Sequence, residues 1–148
     1  MTVEQIEHQN LALLCFYPSR AMEARLLAAM GASGFDDITL AQARIAARIG
    51  PHGTRLTDLA EQALVTKQTA GHLVDQLERA GYVRRVPDPT DGRARLVQMA
   101  ERGHAVVAVA RRVEAEVEAE WTAYLGADAT ACLRESLERL REITDPYR

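Results

Sequence analysis

The stretch that most constrains this chain is residues 65–86, Val-Thr-Lys-Gln-Thr-Ala-Gly-His-Leu-Val-Asp-Gln-Leu-Glu-Arg-Ala-Gly-Tyr-Val-Arg-Arg-Val. Thr66 is an N-cap residue whose hydroxyl can accept a free N–H of the first turn. Ala70, Leu73, Val74 and Leu77 then recur at helical spacing and predict one buried stripe. Gly81 is an abrupt stop, and Tyr82 to Val86 alternates as a strand carrying Arg84 and Arg85. Pro87-Asp-Pro-Thr-Asp-Gly-Arg supplies turn chemistry for a loop tip, and Ala94 to Met99 returns as a second strand to close a β-hairpin. A helix with so one-sided a stripe needs other helices to cover it.

The flanking sequence supplies them. Thr39 caps a helix expected to reach Ile49 and to stop at Gly50-Pro51. Thr57 is the expected cap of a short helix bearing Leu56, Leu59, Ala60, Ala63 and Leu64, with Asp58 favouring its positive end, and Ala63 to Thr66 forms a tight turn into the helix described above. Upstream, residues 2–30 read as one long helix capped by Thr2, with Val3, Ile6, Leu13, Leu14 and Tyr17 on one side; Pro18 should kink or divide it, and Gly31 should end it. Downstream, Glu101 to about Leu125 has Val106, Val109, Val113, Val117, Trp121 and Tyr124 along one side and Glu114, Glu116, Glu118 and Glu120 along the other. After Gly126, Asp128 is the expected cap of a last helix in which Leu133, Leu137, Leu140 and Ile143 or Thr144 repeat.

The fold class is therefore mainly α with a small β-hairpin wing (α+β), a winged helix-turn-helix flanked by N- and C-terminal dimerisation helices. Residues 37–100 form the winged unit, and residues 1–36 with 101–148 form the helical dimerisation region of one intertwined domain. Two long helices with one apolar side each carry more apolar surface than the small unit can cover, which predicts a homodimer completed by the first helix of a partner.

Composition narrows the function classes. Of 148 residues 47% are hydrophobic and 26% charged, a globular balance, and no apolar run approaches the ~20 residues of a membrane span. The start Met-Thr-Val-Glu-Gln-Ile-Glu-His lacks the basic and apolar segments of a secretory leader, so the expected location is cytoplasmic. Cys15 and Cys132 stand far apart, giving neither a disulfide framework nor a zinc spacing. With three serines, no Gly-x-Ser-x-Gly turn, no phosphate-binding glycine loop, and His8, His52, His72 and His104 scattered, nothing suggests an enzyme, a metal or a cofactor. The net charge of −3 would oppose nucleic-acid binding if it were uniform. It is not: residues 67–112 carry nine Lys/Arg against five Asp/Glu, whereas residues 113–148 carry four against nine. A concentrated basic face matters more for phosphate contact than the chain average.

The polar face of the 66–79 helix fits double-stranded DNA. The N-terminal turn of a recognition helix enters the major groove deepest and needs short polar side chains. Thr66, Lys67, Gln68 and Thr69 stand there; Gln68 suits a bidentate contact with adenine, Lys67 a guanine or a phosphate, and the threonines a phosphate or a thymine methyl. His72, one turn on, is either a further contact or a solvated surface histidine. Gly71 either permits close approach to DNA or the preceding helix or is a plain loss of about 1 kcal/mol of helix propensity. On the hairpin, Arg84, Arg93 at the tip and Arg95 suit phosphates and the minor groove, with Asp91 bracing a nearby arginine; the alternative is an ordinary charged hairpin.

These segments resemble the MarR family of winged-helix transcriptional regulators. The resemblance rests on Leu-Thr-Asp-Leu-Ala-Glu (56–61), Val-Thr-Lys-Gln-Thr (65–69), Leu-Val-Asp-Gln-Leu-Glu-Arg-Ala-Gly-Tyr-Val (73–83) and Arg-Arg-Val-Pro-Asp-Pro-Thr-Asp-Gly-Arg-Ala-Arg-Leu-Val (84–97), with Asp91-Gly-Arg93 similar to the family's Asp-x-Arg wing. It implies that Thr66 to His72 read DNA, that Arg93 is the minor-groove arginine, that Asp91 orients the wing, and that the homodimer represses nearby genes until a small ligand or an oxidant releases it. The chain departs from the pattern at Gly71 and His72, where a serine or threonine and an arginine are usual, and at Ala100, where a capping threonine is usual.

What would be sensed is less defined. The position of Cys15 loosely resembles that of the peroxide-reactive cysteine of the OhrR branch of the same family, but the next helix lacks that branch's tyrosines and Arg20 is the only cation nearby in sequence, so a thiol-based oxidant sensor stands against a buried, inert thiol. Cys132 reads as packing. For a small-molecule effector, Tyr17, Met22, Arg25, Arg44 and His52 are candidate lining residues. The competing reading of the whole chain is a winged-helix protein-interaction module that does not bind DNA.

Overall fold

A computed structural model describes residues 9–147. In order it has α1 (Leu11–Ala32), α2 (Leu40–Ala46), β1 (Thr54–Arg55), α3 (Leu56–Gln62), α4 (Lys67–Arg79), β2 (Val83–Asp88), β3 (Asp91–Met99), α5 (Glu101–Leu125) and α6 (Ala127–Thr144). This is the mainly helical, winged helix-turn-helix architecture expected, with a three-stranded antiparallel sheet in the order β1-β3-β2.

The winged unit is built around a stripe the sequence announced. Ala70, Val74 and Leu77 of α4 are buried with Leu59 and Ala60 of α3, Ile45 of α2, and Tyr82, Val83 and Val97 of the hairpin. Leu73, at the edge of the same stripe, is partly buried against that cluster. Gly71 stays an ordinary neighbour of α3, since a Cβ there would lie 3.6 Å from Leu56 Cδ2, so the packing of α4 on α3 does not require the glycine.

Three helices, two of this unit and one of the arm before it, end in the same way. After α4, Gly81 takes φ +82°, and the N–H groups of Tyr82 and Gly81 return to the carbonyls of Leu77 and Glu78. This double hydrogen bond satisfies two of the orphan carbonyls left at a helix end. Gly34 does the same after α1. At the α3–α4 turn the residue is Leu64, at φ +55° and 93% exposed, which places a side chain where the backbone favours glycine.

Several local expectations are corrected. Thr2, Val3 and Ile6 lie outside the described residues, and α1 is capped by Asn10, whose side chain accepts from the Leu13 N–H. Pro18 does not divide α1, and Gly31 does not end it. The missing N–H at Pro18 costs one hydrogen bond, and a 22-residue helix has many others. Thr39 caps α2 as expected, in a reciprocal box with Gln42, but the helix ends at Ala46 rather than Ile49. Thr57 is not the cap of α3; Arg55 is, without a side-chain bond, because Thr54 and Arg55 are drawn into strand β1 opposite Val97 and Leu96. Asp128 likewise lies inside the first turn of α6, after Gly126.

The arms join the winged unit through α5. Gly103 is buried so close to the chain at Tyr82 that a Cβ would stand 2.2 Å from the Tyr82 carbonyl oxygen. Arg102 lies over the Tyr82 ring, 4.2 Å from its centroid, pairs with Asp37 at 2.8 Å and donates to the Ala80 carbonyl. The Tyr82 hydroxyl bonds Asp37, and burial first, then that carboxylate, push its pKa up to about 12. Farther out the arms are open: Leu133, Leu137, Leu140 and Ile143 of α6 and Leu11, Leu14 and Phe16 of α1 are exposed. No described helix is long and apolar enough to cross a membrane.

Candidate nucleic-acid interface

The N-terminal turn of α4 carries the first four predicted residues, all exposed. The Thr66 hydroxyl accepts from the Thr69 N–H at 3.1 Å and donates to the Thr69 hydroxyl at 2.9 Å, so capping holds both threonines in place. Lys67 and Gln68 have no side-chain partner among the described residues. His72 is exposed one turn later, its Nε2 3.1 Å from the Nε2 of Gln76.

The wing is more regular than its turn-rich sequence suggests. β2 continues through Pro87 and Asp88, β3 starts at Asp91, and only Pro89 and Thr90 form the tip, with a register shift between Pro87 and Asp88. Arg93 thus stands in β3, one step past Gly92, rather than at the tip; its side chain is exposed and without a partner among the described residues, and its N–H donates to Asp91 Oδ1 at 3.0 Å.

Alternation separates the arginines. Arg85 and Arg95 share the face of the hairpin that carries Val97. Arg85 staples that face to α4 through Asp75 at 2.8 Å and Glu78 at 2.9 Å, and Arg95 donates to the Arg85 carbonyl at 3.2 Å. Arg84 lies on the other face beside Gln98, at 3.2 Å, and so apart from the Arg85 and Arg95 side chains. Between β1, α3, the start of α4 and the wing lies a cleft of about 350 Å³ lined by Arg55, Leu56, Thr57, Lys67, Arg85, Ala94, Arg95 and Val97. Of the four cations on this concave surface, Arg55 and Arg85 are ion-paired with carboxylates, while Lys67 and Arg95 have no acidic partner among the described residues and leave the recess with two uncompensated positive charges.

Asp91 is the weaker of two carboxylates that brace the wing. Asp91 reaches Arg55 only at 3.9 Å; Asp88, 6% exposed, is its close partner, accepting from Arg55 Nη2 at 2.7 Å and Nε at 2.9 Å. The Asp88 carboxylate also accepts from the N–H and hydroxyl of Thr90. These Thr90 bonds first, then Arg55, hold its pKa down at about 2. Asp-Pro-Thr at 88–90 is a legible turn signal, in which a carboxylate bonds the chain two residues on. That the second partner is an arginine 33 positions upstream was not legible, because only the β1–β3 pairing brings Arg55 there.

The sensing candidates are not gathered. Arg25 is paired through Nη1 and Nη2 with Glu120 at 2.9 Å, Arg44 with Glu23 at 2.8 Å, Met22 is half-buried in α1, and exposed His52 offers only its carbonyl, to Gln98. Tyr17 lies in a tilted ring pair with Phe16, with Arg20 over both rings. None of the five lines the basic cleft or the apolar groove of about 290 Å³ between α5 and α6. Cys15 and Cys132 are both exposed and reduced, against the expectation of buried or packed thiols, because the faces that carry them are uncovered in a single chain.

The fold and this interface define a winged helix-turn-helix protein with long helical arms. Residues 36–94 match the MarR family, and about nine-tenths of the chain has the fold of solved MarR structures. The winged-helix unit of this chain belongs to the MarR family. One MarR crystal structure matches with a TM-score of 0.74 at 23% identity, covering 92% of this chain and 98% of that one. A mutant MarR from E. coli complexed with operator DNA matches at 0.65 and 25% identity, over 88% and 92%. The transcriptional regulator Tm0710 from Thermotoga maritima matches at 0.60 and 25%, over 91% of each. No curated protein sequence matches the chain.

Proposed function

We propose that this chain is a sequence-specific DNA-binding transcriptional regulator, acting as a homodimeric repressor that a small ligand releases from a pseudo-palindromic operator. The observation that carries the reading is the cleft between α4 and the wing, where Lys67 and Arg95 have no acidic partner among the described residues, together with Gln68 on the exposed first turn of α4 and Arg93 on the exposed start of β3, whose side chains nothing in the described chain engages. Unpartnered long side chains around a cationic recess suit phosphate and base edges better than they suit packing. The E. coli relative complexed with operator DNA supports the same reading.

In this proposal residues 37–100 read DNA and residues 1–36 with 101–148 make the dimer. Thr66, Lys67, Gln68, Thr69 and His72 face the major groove, Arg93 and Arg95 follow the backbone toward the minor groove, and Arg84 serves an outer phosphate. A twofold axis sets the half-sites about one helical turn apart, roughly 34–36 Å. The exposed leucines of α6 and α1 are the surface for the partner.

The test is fluorescence anisotropy on the duplex upstream of the protein's own gene and on duplexes recovered by random-sequence selection, at two salt concentrations. Selective binding that weakens with salt is expected, as counterions are released from phosphates. Arg93→Ala should lower affinity. Failure of selection to enrich any site would remove the DNA reading and leave a protein-docking module.

A further inference from the structure

A chain of side-chain amides runs from the start of α2 to the polar face of α4. The Thr39 N–H donates to Gln42 Oε1 at 3.0 Å, Gln42 Nε2 is 2.9 Å from Gln76 Oε1, and Gln76 Nε2 is 3.1 Å from His72 Nε2. A backbone N–H can only donate, and this fixes the direction of every later link. Gln42 must present its oxygen to Thr39 and hence its NH₂ to Gln76; Gln76 must present its oxygen to Gln42 and hence its NH₂ to His72. An NH₂ group facing an imidazole nitrogen requires that nitrogen to accept. His72 Nε2 is therefore bare, and the proton of the neutral ring sits on Nδ1.

We propose that Gln42 is a positioning residue for the recognition helix: acting through Gln76, it sets the tautomer of His72, so that the exposed ring offers a single N–H donor, at Nδ1, to an acceptor on DNA. The inference rests on the DNA-reading proposal for its purpose, though not for the relay itself. Gln42 is buried, 8% exposed, and lies on a different helix from the residue it controls. At the base pair beneath His72, a donor-only ring selects an acceptor edge such as guanine N7 or O6, and opposes the amino group of cytosine. The relay also gives His72 a defined role at a place where the sequence leaves contact and plain solvation open. A solvated histidine favours the proton on Nε2, so the relay inverts the ordinary preference.

The test is a long-range ¹H–¹⁵N correlation spectrum of the imidazoles in the intact protein at about pH 8, above the ordinary histidine range, with the His72 signals assigned by their absence from His72→Ala. The wild-type ring should show a protonated Nδ1 and a bare Nε2. Gln42→Glu still accepts the Thr39 N–H but has nothing to donate, so the Gln76 amide turns over and His72 should switch to the Nε2–H form. Gln76→Glu, which leaves the α2 cap intact, should produce the same switch and stands in if Gln42→Glu does not fold.

A wild-type ring in the Nε2–H form, or a ring whose tautomer ignores both substitutions, would overturn the relay. On a selected operator, Gln42→Glu should lose about tenfold in discrimination at one base pair while the salt dependence holds. A tautomer switch with unchanged discrimination would overturn the role in specificity. If the tautomer switches but no duplex is bound selectively, the relay stands and the DNA reading falls, which separates the two failures.

Discussion

The winged unit and the helical arms are made of similar residues but are finished to different degrees. In the winged unit Ile45, Leu59, Ala70, Val74, Leu77 and Val97 are sealed together, and Arg55, Arg85 and Asp88 each have close partners. In the arms, α6 buries no residue, and its leucines lie between 44% and 49% exposed although they repeat at core spacing. Charges there still pair locally, as in Arg25–Glu120 and Arg134–Glu118. The difference teaches that a helical apolar stripe says only that something must cover it. Whether the cover comes from the same chain depends on size: seven- to thirteen-residue helices close on one another, while the 25-residue α5 outruns its own unit.

The sharpest way to break this contrast is to charge the open face. Leu133→Asp with Leu137→Asp should weaken self-association by at least about a hundredfold, since each leucine is worth about 1.5–3 kcal/mol when fully buried. Sedimentation equilibrium would show a monomer, while amide-exchange protection of α4 and the hairpin persists. An unchanged dimer would mean that the stripe has some other cover.

Next in size is the seam between the two regions. Gly103→Ala drives a methyl group into the Tyr82 carbonyl and should cost about 1–3 kcal/mol, read as a lowered thermal midpoint. No loss would show that α5 is not seated on the winged unit as described.

A smaller, pH-dependent effect concerns the wing alone. Asp88 is more acidic folded, at about 2, than in its ordinary state at 3.8, so its contribution is complete above the ordinary value and is lost as pH falls through that window toward 2. Thermal midpoints of the wild type and Asp88→Asn should therefore differ at neutral pH and converge as acid is added; a gap that persists at the acid end would refute this. The smallest effect should be a gain. Ala100 begins α5 without a side-chain cap, and Ala100→Thr should add about 1 kcal/mol in denaturant titration.

Much of the winged unit was legible because its signals are local. Thr66, the stripe from Ala70 to Leu77 and Gly81 each act within a few residues, and each stands as expected. Local signals also misled where longer contacts compete with them. Thr57 is a good capping residue, but strand pairing of Thr54 and Arg55 moves the helix start two residues earlier than a Thr57 cap would allow. Pro18 is a helix breaker in isolation, yet α1 continues through it against α5. Asp91 is the carboxylate that the Asp-x-Arg resemblance singles out, whereas the burial of Asp88 and its bond to Arg55 depend on where β1 lies.

The sequence by itself determined the order of elements, the one-sided helix with its glycine stop and the basic middle between acidic arms, since all of these are set by spacing and composition, and its motifs carry the resemblance to a winged-helix family. Only the tertiary structure decided that Arg55 clamps Asp88, that Gly103 lets α5 touch Tyr82, and that Gln42 reaches His72 through Gln76. Each joins residues between 21 and 34 positions apart. Such a contact is set by how two elements are placed, and a placement depends on the whole core at once rather than on any run of neighbours.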